Sequence, residues 1–144
     1  MAIKALGIVL GLSVILAACA QEQWKPEVNY AYNVDNGMMY LRWNCVSQPP
    51  ELVVQGFVNN ITMQAMKNTQ VKIYAIDSQG ATVSSAQTTS IPWMLETNIR
   101  TPFDIRLKTT GTEVRYDLSY SYAMGMDFAQ NPNWKMDACP NMDR

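Results

Sequence analysis

The 144-residue chain contains no histidine. Without imidazole there is no Ser-His-Asp or Cys-His nucleophilic machinery, and the usual ligands of zinc centres are missing. Catalysis would then need a carboxylate pair or a lysine base. Asp104, Asp117 and Asp127 are the carboxylates to consider, and nothing in their spacing brings two of them together, so neither an enzyme nor a cofactor is expected. Charge is also scarce: 11 Lys and Arg stand against 12 Asp and Glu, with no basic cluster. Nucleic acid needs phosphate-neutralising side chains, and anionic headgroups need a polybasic stretch, so both partners are excluded as charge-driven ligands. The apolar run from Ala5 to Ala20 is shorter than the ~20 residues that span a bilayer and is interrupted by Gly7 and Gly11. There are only three cysteines.

What is present begins at the N-terminus. Lys4, the apolar stretch Ala5 to Leu16 and the small residues Ala17 and Ala18 have the order of a secretory signal. The small residues lead into a cysteine, and Leu16-Ala17-Ala18-Cys19 resembles the lipobox of bacterial lipoproteins. The resemblance implies cleavage before Cys19 and lipidation of Cys19. Residues 1–18 are then a signal peptide, residues 19–27 the lipid anchor and tether, and residues 28–144 a single domain. The family's mature cysteine carries two acyl chains and an amide-linked third, which anchors stably where one chain binds only marginally. Ala20 and Gln21 lack the aspartate that keeps some enterobacterial lipoproteins in the inner membrane, so the implied address is the outer membrane, facing the periplasm. Gln21 to Glu27 is polar, contains Pro26 and reads as the tether. After such a signal the Asn60-Ile61-Thr62 sequon is expected to be incidental.

With Cys19 assigned to lipid, Cys45 and Cys139 remain, and two cysteines in an exported domain are expected to form a disulfide. The loop enclosed, counted from Cys45 through Cys139, is 95 residues. Chain entropy gives such a closure ~4–5 kcal/mol, less any strain. Two separate buried thiols are the alternative, and two distant thiols without histidine fit no common metal spacing.

The rest of the chain reads as β-structure. Val28 to Val34 is rich in Val and Tyr, and Asp35-Asn36-Gly37 supplies a tight turn. Met39, Leu41, Trp43 and Cys45 alternate with Tyr40, Arg42 and Asn44, which predicts a half-buried strand with Trp43 and Cys45 on one face. A tryptophan beside a disulfide is an arrangement used in the cores of immunoglobulin-type sandwiches. Further strands are expected over Leu52–Asn59, with Val54, Gly56 and Val58 on one face, over Val71–Asp77, and over an exposed edge segment Ala81–Ser90. Met63 and Met66 are placed in a loop or helical turn, and Trp93 in a connection bracketed by Pro92 and Pro102. Phe103, Ile105 and Leu107, then Val114, Tyr116, Leu118, Tyr120 and Tyr122, give the two clearest alternations, joined through Gly111. The tail after Met124 looks irregular. Together these features predict an all-β, antiparallel sandwich of about seven strands, of the immunoglobulin or fibronectin type III kind, with the tail stapled by the disulfide.

The series Val54-Gln55-Gly56-Phe57-Val58-Asn59-Asn60, Val71-Lys72-Ile73 with Asp77-Ser78-Gln79-Gly80, and Pro102-Phe103-Asp104-Ile105 resembles the FxLYD-type and LEA-like β-sandwich domains over about residues 52–122. It departs at Ile76, where tyrosine is usual, and at Glu96 to Thr101, which replace a Pro-Gly turn. The resemblance implies a fibronectin-like fold at the cell envelope and no catalytic residues. Gly56 is expected to permit close packing and Gly80 a positive-φ turn.

Three sets of side chains are candidates for function. Trp24, Trp93 and Trp134 fall in loops or tails, where aromatics make a partner-binding platform or plug the sandwich ends. Nine methionines remain after residue 18, among them Met124 and Met126, and soft thioethers suit Cu(I), although methionine is also an ordinary core filler. The uncharged Ala81–Ser90 segment could accept a partner strand, or be plain exposed surface. The reading that follows is a non-catalytic periplasmic module, lipid-anchored to the membrane, that binds or assembles with another envelope protein. A Cu(I)-binding protein is the alternative.

Overall fold

The computed structural model describes residues 28–125, 128–130 and 136–140, the middle group by backbone alone. Ten strands follow in order: β1 (Tyr32–Asp35), β2 (Met39–Gln48), β3 (Glu51–Asn60), β4 (Met66–Asp77), β5 (Thr82–Gln87), β6 (Met94–Leu95), β7 (Arg100–Lys108), β8 (Glu113–Met124), β9 (Phe128–Gln130) and β10 (Met136–Asp137). They form two antiparallel sheets. One has the order β1-β2-β3-β7, and the other β10-β8-β4-β5, with β6 also on β4 and β9 also on β8. This is the expected immunoglobulin-like sandwich.

The core follows from the alternations. Met39, Leu41 and Trp43 of β2, Val54 and Val58 of β3, and Phe103, Ile105 and Leu107 of β7 point from the first sheet toward Val71, Ile73 and Ala75 of β4 and Leu118, Tyr120 and Tyr122 of β8. Gly56 lies opposite Trp43 in the β2–β3 ladder. A Cβ there would stand 2.0 Å from the Arg42 carbonyl oxygen, so only glycine lets the two backbones approach this closely. Gly80 has the positive φ expected of its turn, 81°.

The Cys45–Cys139 disulfide joins β2 to the C-terminal segment, with Cα atoms 5.9 Å apart. Trp43, on the same face as Cys45, donates from its indole nitrogen to the Ala138 carbonyl at 2.7 Å, and the Ala138 N–H donates to the Tyr116 carbonyl at 2.7 Å. The staple therefore lands on a segment that already pairs with β8 through Met136 and Asp137.

Four details differ from the sequence expectations. The first strand begins at Tyr32 and not Val28, because the Asn44 side chain takes over the local hydrogen bonding: it accepts from Ala31 N–H at 2.7 Å and donates to the Asn29 carbonyl at 3.1 Å. Tyr30 is held on the outer face of the first sheet, edge-on to Phe57 at 5.2 Å. Met66 is no loop residue: it opens β4 and is wholly buried. Val114 is exposed, while Asp117, on the polar side of the alternation, is buried against Arg115 at 2.8 Å. The tail is not irregular throughout, since β9 and β10 both pair with β8.

The β7–β8 turn is built around one carboxylate. Glu113 accepts from the Thr110 hydroxyl at 2.7 Å, from the Thr110 and Thr112 backbone N–H groups and from the Tyr116 hydroxyl at 3.1 Å. Burial raises its pKa, but these bonds together outweigh burial and lower it from 4.5 to about 2. A depressed folded-state pKa stabilises above the unfolded value, and that contribution disappears as pH falls from 4.5 through about 2. A carboxyl-resolved NMR titration should find Glu113 titrating near that low value, and Thr110→Ala should move it upward. An ordinary Glu113 titration in the native protein would refute the turn's geometry.

Candidate functional site

One end of the sandwich gathers side chains that a solvated domain ordinarily hides. Three segments meet there: the β1–β2 turn with Met38, the β3–β4 loop with Ile61 and Met63, and the β5–β7 connection with Trp93, Met94 and Ile99. All six side chains are exposed, Met63 almost completely at 99 % and Trp93 at 59 %. Single exposed apolar residues are common on any surface, whereas several converging on one end make that end a candidate interaction surface. Methionine and tryptophan add to this character, the one adaptable and the other a large rigid contact.

What fixes these loops is a single buried amide. Asn60 ends β3 at an inward position, in phase with Val54 and Val58, and is 0 % exposed. Its side-chain nitrogen donates to the Gln64 carbonyl at 2.7 Å and the Leu95 carbonyl at 3.0 Å. Its side-chain oxygen accepts from the Thr62 N–H at 3.0 Å and the Thr62 hydroxyl at 2.7 Å. The Asn60 backbone carbonyl takes the Asn98 N–H at 2.7 Å, and a parallel bridge pairs Asn60 with Thr97. One residue thus ties the β3–β4 loop to the connection that crosses from one sheet to the other. It also closes the sequon question, because the amide nitrogen is enclosed and both its protons are used.

The neighbouring pieces are pinned in the same manner. Ile61 N–H donates to the Met38 carbonyl at 3.0 Å, joining loop to turn. Asn36 caps that turn through Met38 N–H at 2.9 Å and Met39 N–H at 2.7 Å, and reaches across to the Tyr120 hydroxyl of the other sheet at 3.1 Å. Burial pushes the Tyr120 hydroxyl pKa above its ordinary value. Tyr122 donates to the Met38 sulfur at 3.3 Å. Asn68, held at φ 52°, donates from its backbone N–H to the Trp93 carbonyl at 2.9 Å, and the Lys67 ammonium stands 5.5 Å from the Trp93 ring centroid. The apolar side chains are therefore displayed on a pre-organised frame, which lowers the ordering cost of binding.

Val28, the first described residue, lies elsewhere: it borders a cleft of about 510 Å³ on the outer face of the first sheet, beside Asn44, Val46 and Gln55. Along β2, Val46 is roughly 25 Å from the Met38 turn at a strand's rise per residue. The chain enters on one half of the domain and the apolar loops occupy the other end.

Of the residues singled out in the sequence, Trp93 belongs to this surface. Cys19, Trp24, Met126, Asp127 and Trp134 lie outside the described residues. Met124 is half-buried and sits opposite the fully buried Met66 in the β4–β8 ladder. Asp104 and Asp117 belong to different sheets, each facing an arginine, Arg106 at 3.8 Å and Arg115 at 2.8 Å. Among the described residues no three His, Cys, Asp or Glu side chains are grouped to hold a metal ion. Sequence reasoning assigned none of Met38, Ile61, Met63, Met94, Ile99 and Asn60 to a partner-binding surface, although it placed Met63 in a loop and Asn60-Ile61 in a sequon. The usable signal was Asn60, an amide at an inward position of an otherwise apolar strand face.

No family model matches the chain, and no curated protein matches it. Among solved structures it is similar to the crystal structure of the yeast GGA1 GAE domain, at 10 % identity and a TM-score of 0.48, over 72 % of this chain and 94 % of that one. At that score the likeness carries no inference about activity or partner.

Proposed function

We propose that this chain is a non-catalytic binding or assembly module of the bacterial cell envelope, anchored to the outer membrane through lipid on Cys19 and facing the periplasm. The apolar end is its docking surface, and the partner is another envelope protein that offers an apolar groove to Met63 and Trp93. The observation that carries this reading is the Asn60 network: a fully satisfied buried amide holds apolar loops outward, where plain solvent exposure would favour polar ones. The proposed anchor is compatible with it. Nine tether residues, 19–27, reach at most ~30 Å, and they join the domain on the half away from the docking end, leaving that end free to face into the periplasm.

Two arms of one experiment test the reading. Fractionation should find the native protein in membranes and the Cys19→Ser variant released from them. Chemical crosslinking in the intact envelope, followed by pull-down, should give one reproducible envelope protein, and the adduct should fall at least tenfold in a Met63→Ser, Trp93→Ala double variant. Membrane retention of Cys19→Ser would overturn the anchor. An unchanged adduct from the double variant would overturn the docking surface.

A further inference from the structure

Every open sheet has edges, and among the described residues three of the four sheet ends are guarded by length, proline or charge. β1 has only four residues, and among the described residues β9 and β10 have three and two. β7 carries Pro102 together with Arg100, Asp104, Arg106 and Lys108. Short length, proline and charge are the usual means of blocking edge-to-edge pairing. β5 is short and carries one irregularity at Val83, but its sequence, Thr-Val-Ser-Ser-Ala-Gln over residues 82–87, has neither charge nor proline, and it ends the second sheet.

We propose that β5 is a self-association edge, pairing antiparallel with β5 of a second copy of this chain about a two-fold axis at Ala86. The direction of the free backbone groups follows from the ladder. Thr88 N–H donates to the Val71 carbonyl at 2.9 Å, so residue 88 faces β4. Backbone groups alternate sides along a strand, so Ala86 and Ser84 also face β4, while Ser85 and Gln87 turn their N–H and C=O outward. The irregularity in this ladder lies at Val83, between Ser84 and Thr82, and leaves Ser84–Gln87 in regular register. With the axis at Ala86, Ser85 and Gln87 of each copy form hydrogen-bonded pairs with Gln87 and Ser85 of the other. Ala86 then meets its own copy in a non-hydrogen-bonded pair, where Cα atoms approach to ~4.5 Å and a small side chain is required.

The side chains are compatible with a second copy. Ser85 and Gln87 are exposed and Ala86 is half-buried toward the core, so the added strand presents the same alternation it receives. Lys72 is the register neighbour of Gln87 and Tyr74 that of Ser85. Across the junction Lys72 therefore shares a row with Gln87, then Ser85 and Tyr74 of the second copy, and no like charges meet. A single strand pair buries far less than the ~1,000 Å² of a stable interface. The association accordingly depends on confinement, where a shared surface raises the effective concentration, and in this respect it rests on the proposed lipid anchor.

The test uses the full chain in its native membrane. Ala86→Cys, oxidised with diamide, should yield a disulfide-linked homodimer at least tenfold above a Thr110→Cys control placed in an exposed turn. Adding Ser85→Pro removes an outward N–H without touching the β4 ladder, and should return the dimer to control level while the Cys45–Cys139 bond persists. Equal dimer from both cysteine variants, none from Ala86→Cys, dimer that survives Ser85→Pro, or an adduct with a different protein would each overturn the proposal. Fractionating the same samples separates the two readings: a chain found off the membrane refutes the anchor, and the cross-link is then scored on purified protein at high concentration with the same outcomes.

Discussion

Replacing Cys45 and Cys139 by alanine together is expected to lower folding stability by about 4–5 kcal/mol, the chain-entropy value for closing so long a loop. The local structure explains why little would compensate. The described tail beyond residue 135 pairs with β8 through only two residues, Met136 and Asp137. Beyond that ladder it is held by the Trp43–Ala138 hydrogen bond and by the bond between Ala138 N–H and Tyr116. Those contacts gain their strength from an end already tethered. Untethered, the segment must be ordered at a cost of about 1–2 kcal/mol per residue of backbone, more than two short ladder pairs return. The variant should therefore lose its tail first, and Trp43, otherwise 2 % exposed, should meet water. Urea unfolding of native and double-alanine protein, followed by tryptophan emission, checks both the magnitude and the order. A loss below about 1 kcal/mol would mean that the tail is held by its own contacts and that the bridge adds little.

Asn60→Ala is expected to cost about 2–3 kcal/mol, and its effect should be concentrated at the apolar end. The amide donates to two carbonyls and accepts from Thr62 twice, and its bond to the Leu95 carbonyl is buried. Removing the side chain takes a buried donor from that carbonyl, opens a cavity under the loops and cuts the side-chain link between residues 61–64 and the crossing segment that bears Trp93. Amide exchange should accelerate at Thr62, Gln64 and Asn98 well before it does in β2 or β4. Capture of the partner should fall at temperatures where the domain remains folded, because a surface that must be ordered on binding binds more weakly. Unchanged exchange in those loops would mean that the Asn36 and Asn68 bonds alone hold the frame, and Asn60 would not be its keystone.

The parts of this molecule legible in its sequence are those where period-two alternation coincides with one-sided burial. β2, β7 and most of β8 could be read directly, as could the shared face of Trp43 and Cys45, while the disulfide followed from the two cysteines left once Cys19 is assigned to lipid. β3 is harder, since Val53 and Phe57 are buried on the outer face as well. There Phe57 is covered by Tyr30 and by the Arg100 guanidinium, whose carbon stands 5.0 Å from the ring centroid, a contact between segments distant in sequence. Met66 could be placed only once β6 and β8 are known to pair on either side of it. The proposed docking end was illegible for the same reason: residues 38, 61–63 and 93–99 carry unremarkable local patterns, and their meeting is a property of the sheet order. Asn60 is the exception, a polar residue in phase with a buried face, and it is the residue on which the end depends.

The central claim is that the loops around Met63 are where the anchored protein meets its partner. The most direct measurement places a photo-crosslinking residue at Met63 and, separately, at Thr110 in the full-length chain in its native envelope. A single protein adduct from position 63, absent from position 110 and abolished by Asn60→Ala, is the expected result. Adducts alike from both positions, or lipid alone captured at position 63, would contradict it.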